Sequence, residues 1–422
     1  MSALPATLAA GATRTITFDG GVVRPATTGI TLAQNLTAGY VTNNGARIDT
    51  NGLNATVAQA LVNGTAAGTN GTLRKLGSGT LTLSASNSFT GSTRVEAGTL
   101  TLTNANALAG STLDLDGADA GAVAFGVAGT TTYNLGGLSG SRALTTGGTV
   151  RLSVGGNGQD ATYDGNLTAG GAFTKVGAGR LTLSGSSSIA GVSAVDQGSF
   201  LVDGSLAPSS PVTIASGATV GGSGTILGAL TGSGLVSPGN SPGILTATQF
   251  DPSGGLDAAF EFTTLSPAYA SPTTSLNDVL RLTNGANPFA SGTFAAGNVV
   301  DIYFNVDSIT GGGVFEGGFF TGLSAEDLLT SLNGRATFNY WAKTDGAGDR
   351  TFDGVNYVTL SGVTLQTTYG TRDFGGSVGN VTGSVTQFVI AVPEPAAVAL
   401  AGIGVGIAGW AAARRRYRQK HG

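Results

Sequence analysis

The chain has 422 residues, a net charge of −4, only 10% charged residues and no cysteine, which excludes disulfides, thiolate nucleophiles and thiolate metal sites together. Its 71 glycines follow no strict three-residue period, which excludes a collagen-like rod, and 41% apolar residues are too many for a disordered tail. The single histidine, His421, lies in the terminal tail, so the body of the chain has no imidazole base.

Charge is unevenly placed. Arg414, Arg415, Arg416, Arg418 and Lys420 stand together without an acid, leaving 15 basic and 24 acidic residues before them. A mildly acidic body lacks the basic surface that nucleic-acid binding needs. At the other end, MSALPATLAAGATRTITF has no basic n-region, and Pro5 breaks its short apolar run. An exported protein is therefore expected either to start upstream of Met1 or to be read here after processing.

From about residue 45 the sequence becomes a grammar of short apolar pairs and Gly or Asn turns, over 45–61, 110–125, 147–156 and 216–245. The clearest stretches are LRKLGSGTLTLSASNSFTGSTRVEAGTLTL (73–102) and FTKVGAGRLTLSGSSSIAGVSAVDQGSFLV (173–202), which align without a gap at an offset of 100. Lys75 meets Lys175, Gly77 and Gly79 meet Gly177 and Gly179, and Leu81 and Leu83 meet Leu181 and Leu183. Alternation as in Leu81-Thr82-Leu83 sends apolar side chains to one face of a strand. Strands this short cannot bury that face alone, but stacked as rungs they share one core. The pattern predicts a parallel β-helix; an antiparallel sandwich built from the same strands is the alternative.

The 73–102 stretch, with its Lys, two spaced glycines, TLTLS strand, Phe-Thr-Gly turn and AGTL strand, resembles the autotransporter-associated β-strand repeat. The second copy departs from it at Ile189-Ala190-Gly191 and Gln197–Phe200. SPGNSPGIL resembles a stretch that closes such arrays. The resemblance covers about 45–248 and implies a right-handed β-helix at the cell surface; it does not imply a catalytic activity, and no cofactor is expected.

Residues 249–391 hold 19 aromatic side chains against eight in 1–248, which predicts a separate, mostly antiparallel β domain with a boundary near 246–252. Longer strands are expected over 256–262, 298–306, 336–341 and 357–364. LSAEDLLTSLNG predicts one helix, with Ser324 as N-cap, Asp327 three residues on and Gly334 as its stop.

Three sets of side chains are candidates for chemistry. Asp114, Asp116 and Asp119 cluster oxygens as a calcium site does, but lack the EF-hand spacing, and a strand's outer face explains them equally. GGNGQDATY (155–163), which contains Asp160, approaches a calcium-binding nonapeptide, yet Thr162 replaces its large apolar residue and no tandem copy follows. Arg142, Arg151, Asp160 and Asp164 could be imagined as a surface polysaccharide lyase or hydrolase set, the enzymatic alternative. Metal and catalytic roles are both read as absent.

The last thirty residues carry the strongest signal. Residues 396–413 are uncharged and would span roughly 27 Å as a helix, the thickness of a hydrocarbon core. Trp410 sits near one end, and Arg414, Arg415 and Arg416 would remain in the cytoplasm. With Val392, Pro393, Glu394 and Pro395 in front, this segment resembles the PEP-CTERM sorting signal. That resemblance implies an exosortase-type membrane processing enzyme as partner, a Gram-negative source, extracellular polysaccharide nearby, and cleavage near Pro393–Pro395 after transient anchoring in the inner membrane. An autotransporter's C-terminal barrel does not fit this end, so another export route is expected. The expected whole is thus an all-β protein: a right-handed parallel β-helix (solenoid) over 1–248, a mostly antiparallel β domain over 249–391, and one C-terminal transmembrane helix (396–413) within a sorting segment of 392–422. Its expected role is that of a surface or extracellular-matrix structural or adhesive protein.

Overall fold

In both repeat copies the leucines of the TLTL and RLTL strands point inward and are buried. Leu81 and Leu100, and Leu83 and Leu102, stack across one parallel ladder, with Thr80, Thr82, Thr99 and Thr101 left on the outside. The computed structural model describes residues 13–239, 242–263, 277–284, 288–289, 297–305, 313–332, 336–352, 355–373 and 380–390. Over these the chain winds as an all-β solenoid of about 12 turns. The strand ladders joining residues 15–304 are parallel, which removes the antiparallel sandwich.

Three ladders run side by side at the N-terminal end. One stacks Thr15–Phe18, Ala38–Val41 and Leu61–Asn63; a second stacks Ile30–Ala33, Ala55–Val57, Thr80–Leu83, Thr99–Leu102 and Ala122–Phe125. The third stacks Ala46–Asp49, Leu73–Leu76, Thr93–Val95 and Leu108–Leu115. Where the first ladder loses regular pairing, the buried Asn87 bridges rungs: its Oδ1 accepts from Leu61 N (2.9 Å) and its Nδ2 donates to Ala107 O (2.8 Å). A side-chain amide thus satisfies backbone groups that water cannot reach.

The two repeat copies do not stand in one column. The third ladder runs from Leu113 and Leu115 to Leu138 and Gly140, then from Gly140 to Tyr163 and on to Leu183. Leu183 belongs to Arg180–Leu183, the counterpart of Thr80–Leu83 and not of Leu73–Leu76. The second copy is therefore turned by one face about the solenoid axis. Longer connections between the copies, such as 116–121 and 155–160, make 100 residues something other than a whole number of turns.

Parallel stacking also crosses the expected boundary. Leu235–Pro238 pairs with Asp257–Phe262, that strand with Val299–Phe304, and that one with Thr337–Lys343, all parallel. The aromatic enrichment after 249 marks fatter rungs on the same core, with Phe250, Phe260 and Phe289 packed edge-on around Phe319 at 5.2–5.8 Å. Apart from isolated bridges at Gly222–Gly239 and Phe262–Asn277, antiparallel pairing among the described residues begins where Gly313–Thr321 and Val363–Asp373 flank Asn380–Ile390, and where Val355–Thr359 joins Thr337–Lys343 and Arg350–Phe352.

The helix forms as Ala325–Leu332, burying Leu328 and Leu332. Ser324 Oγ accepts from Asp327 N (3.1 Å), the N-cap its sequence announces, and donates to Asp327 Oδ2 (2.6 Å). Gly334, its expected stop, lies outside the described residues. Among the described residues no helix is long and apolar enough to cross a membrane; the segment 396–413, with the sorting motif before it and the arginines behind it, lies outside them.

Candidate functional site

The most built feature of each repeat is a buried lysine. Lys75 and Lys175 are 0% and 1% exposed, deep in the corner after their strands. The Lys75 ammonium donates to Leu76 O (2.9 Å), Gly77 O (2.7 Å), Ala97 O (3.0 Å) and Thr50 Oγ1 (2.8 Å). Lys175 repeats three of these contacts, to Val176 O, Gly177 O and Gln197 O. Gly77 and Gly177 both take a φ of 72°, which turns their carbonyls onto the ammonium and which only glycine adopts at little cost. Burial pushes the Lys75 amine down to about 8 and lowers that of Lys175. The sequence shows both lysines but not this role, because a lysine in a strand ordinarily reads as solvent-facing.

The acidic cluster is organised around an arginine. Arg94 Nε and Nη2 hold Asp119 by two bonds (2.7 and 3.0 Å), and its Nη1 pairs with Asp116 at 2.8 Å. Asp114 stands beside them, its carboxyl raised chiefly by burial, although Arg94 opposes the rise. Asp116 Oδ1 also accepts from Ala118 N (2.8 Å), so the loop is an Asx turn pinned to the previous rung. A guanidinium thus occupies the place where a cation would sit.

The four residues imagined as a catalytic set remain separate. Asp160 pairs with Arg180 (3.4 Å) and accepts from its backbone N (2.7 Å), while Arg151 and Asp164 are exposed on different strands or turns. No ion pair or hydrogen bond among the described residues joins Arg142, Arg151, Asp160 and Asp164 to one another. Arg142 contributes its carbonyl instead, accepting from the buried Tyr163 hydroxyl at 2.7 Å. In the 155–163 stretch, Asn157 closes a turn by accepting from Gln159 N (3.0 Å) and reaches Thr112 Oγ1 with its Nδ2 (2.9 Å), tying two rungs together.

Two family models match this chain. The passenger-associated-transport-repeat matches residues 73–102, 97–113 and 173–202, and the PEP-CTERM protein-sorting motif matches residues 391–416. The middle match overlaps the strands Thr99–Leu102 and Leu108–Leu115, so the repeat continues into a rung that the 100-residue alignment left out. No curated protein and no solved structure matches the chain. The repeats account for the solenoid, and the sorting motif indicates an exported protein handled by an exosortase-type enzyme.

Proposed function

We propose that this protein is a non-enzymatic structural or adhesive component of the cell surface or extracellular matrix. The observation that carries the reading is a PEP-CTERM motif, at 391–416, on the same chain as a β-solenoid of about 12 turns. In this reading residues 396–413 hold the chain transiently in the inner membrane with Arg414–Arg416 in the cytoplasm, and the processing enzyme cuts near Pro393–Pro395. Neither proline fits a regular helix interior, which suits a segment that a processing enzyme must reach. The solenoid then supplies length and a backbone ladder resistant to proteases, and extracellular polysaccharide is the partner its Thr-, Ser- and Asn-rich exterior suits. A non-enzymatic role is favoured by carboxylates already engaged by Arg94 and Arg180.

Intact mass and fractionation of the mature protein from the native cell test this reading. The expected product lacks Trp410 and the arginine cluster and is found outside the inner membrane. Replacing Val392–Pro395 by alanines should leave the full-length chain in the membrane fraction. A wild-type mature protein that keeps Trp410 and stays in the inner membrane overturns it.

A further inference from the structure

Near the N-terminal end of the solenoid one turn is unlike its neighbours. The corner from Ala38–Val41 to Ala46–Asp49 takes only residues 42–45, whereas the corner from Leu61–Asn63 to Leu73–Leu76 takes 64–72. The surplus residues project from the corner and wall off a groove of about 340 Å³, whose floor is the outer side of the first ladder. Thr17 and Tyr40 are register partners on that floor, and their chain neighbours Phe18 and Val41 fill the core behind them.

The wall is fixed by its own hydrogen bonds. Thr69 Oγ1 donates to Ala66 O (2.6 Å), Gly71 N donates to Asn63 Oδ1 (2.9 Å), and Asn70 N donates to Asn43 Oδ1 (2.7 Å). A site held this way loses little entropy when it is occupied. The groove also keeps polar capacity in reserve. Among the described residues, the hydroxyls of Tyr40, Thr17 and Thr65 and the amide nitrogen of Asn43 have no protein partner.

No charged side chain lines the groove. The Asp19 carboxylate lies just behind the lining, on the rung before, where it accepts from two groove residues of the 42–45 corner, Thr42 Oγ1 (2.6 Å) and Asn44 Nδ2 (2.7 Å). An anionic ligand would find no cation in the lining and would face the Asp19 carboxylate behind it, and a purely apolar one would strand the free hydroxyls and amide. What suits an aromatic ring flanked by neutral donors and acceptors is a pyranose, with its apolar C–H face on the ring and its hydroxyls at the rim. We propose that this groove, floored by Tyr40 and walled by 64–69, binds one or two units of a neutral polysaccharide. The proposal deepens the adhesive reading above by naming its ligand class, but it is tested on the isolated protein and does not depend on how the chain is sorted.

The experiment is saturation-transfer NMR on the purified full chain with cellohexaose, laminarihexaose, maltohexaose and mannohexaose, and with trigalacturonate as the acidic control. At least one neutral hexasaccharide should show transfer, and trigalacturonate none. Tyr40→Ala should weaken that binding about tenfold or more through loss of the stacking face, and Tyr40→Phe by a few-fold through loss of one hydroxyl. Ala66→Trp, on the exposed wall, should fill the groove and abolish binding; unchanged melting curves for Tyr40→Phe and Ala66→Trp exclude a folding defect. Transfer with none of the neutral probes, or equal binding by Ala66→Trp, overturns the groove assignment. A purified chain that binds a neutral probe but is retained in the inner membrane of the native cell would instead leave the groove standing and remove the surface reading.

Discussion

Lys75 shows how a single residue organises a rung. Four acceptors surround its three N–H groups, and three of them are carbonyls that the tight corner points inward. Lys75→Met keeps the packing and leaves Leu76 O paired with Thr50 N (3.0 Å), but it strands the Gly77 and Ala97 carbonyls at about 1–3 kcal/mol each, so a loss of about 2–6 kcal/mol is expected in denaturant melts. The same burial makes stability depend on pH. Below about 8 the amine is protonated in folded and unfolded chains alike. Between about 8 and the unfolded value near 10.4 only the unfolded chain binds the proton, so stability should rise with pH, by on the order of 3 kcal/mol in full. Tyr163 acts in the opposite sense: burial pushes its hydroxyl up to about 12, so above an unfolded value of about 10 the folded chain alone keeps the proton and stability falls. Melting temperature measured from pH 7 to 11 should therefore climb and then drop, and Lys75→Met should flatten the climb while keeping the drop. A monotonic fall from pH 8 in the wild type would contradict this assignment. Gly79 poses the other demand on a corner, since a Cβ there would overlap the Leu53 carbonyl of the rung below, and Gly79→Ala should unfold that corner outright.

At the scale of elements, strands and corners carry different amounts of information. Alternation such as Leu100-Thr101-Leu102 states which side chains face in, and Ser324 with Asp327 states where the helix starts; both were legible because they are local. Alternation does not state which strand lies beside which, so the turn of the second copy by one face could not be read: it depends on corner lengths summed over several rungs. The continuation through 246–252 was one of two readings the sequence left open, beside a separate β domain, for a related reason. Aromatic content marks a change of side-chain volume and does not by itself mark a change of architecture: Phe260 and Ile302 occupy the same inward positions as the leucines of earlier rungs. The acidic corner after Leu108–Leu115 shows how neighbouring elements complete each other. Its three aspartates lie within five positions of sequence, but the cation that balances them, Arg94, comes from the rung before. Arg94→Ala should cost about 2–4 kcal/mol, because Asp119 is left nearly buried without a partner. It should also free a knot of carboxylates, so that millimolar calcium raises the variant's melting temperature and leaves the wild type unmoved. Equal calcium responses in the two proteins would refute the view that the guanidinium holds the cation's place.

The whole molecule is nearly one-dimensional. Each rung contacts the rung on either side, and one continuous apolar core runs from Phe18 to Leu332 without belonging to any one sequence repeat, beside a small second cluster of Ala259, Tyr303 and Tyr357. A parallel ladder left open would offer unpaired edges to other chains. Here Gly313–Thr321 is followed by the antiparallel strands Asn380–Ile390 and Val363–Asp373, and Thr367 Oγ1 of the last strand donates to Ala325 O (2.7 Å) of the helix Ala325–Leu332. In such an array stability is the sum of rung and neighbour terms, so damage should stay close to where it is made. Leu183→Ala removes a side chain that is 0% exposed and paired with Tyr163 on one side and Val202 on the other. The cavity should cost about 2–5 kcal/mol. In native-state hydrogen exchange the loss of protection should centre on Ala161–Tyr163, Arg180–Leu183 and Ser199–Val202, and fade towards Ala46–Asp49 and Ala55–Val57. If protection instead falls by the same amount along the whole solenoid, the rungs unfold as one cooperative block and the sum of rung and neighbour terms does not describe this molecule.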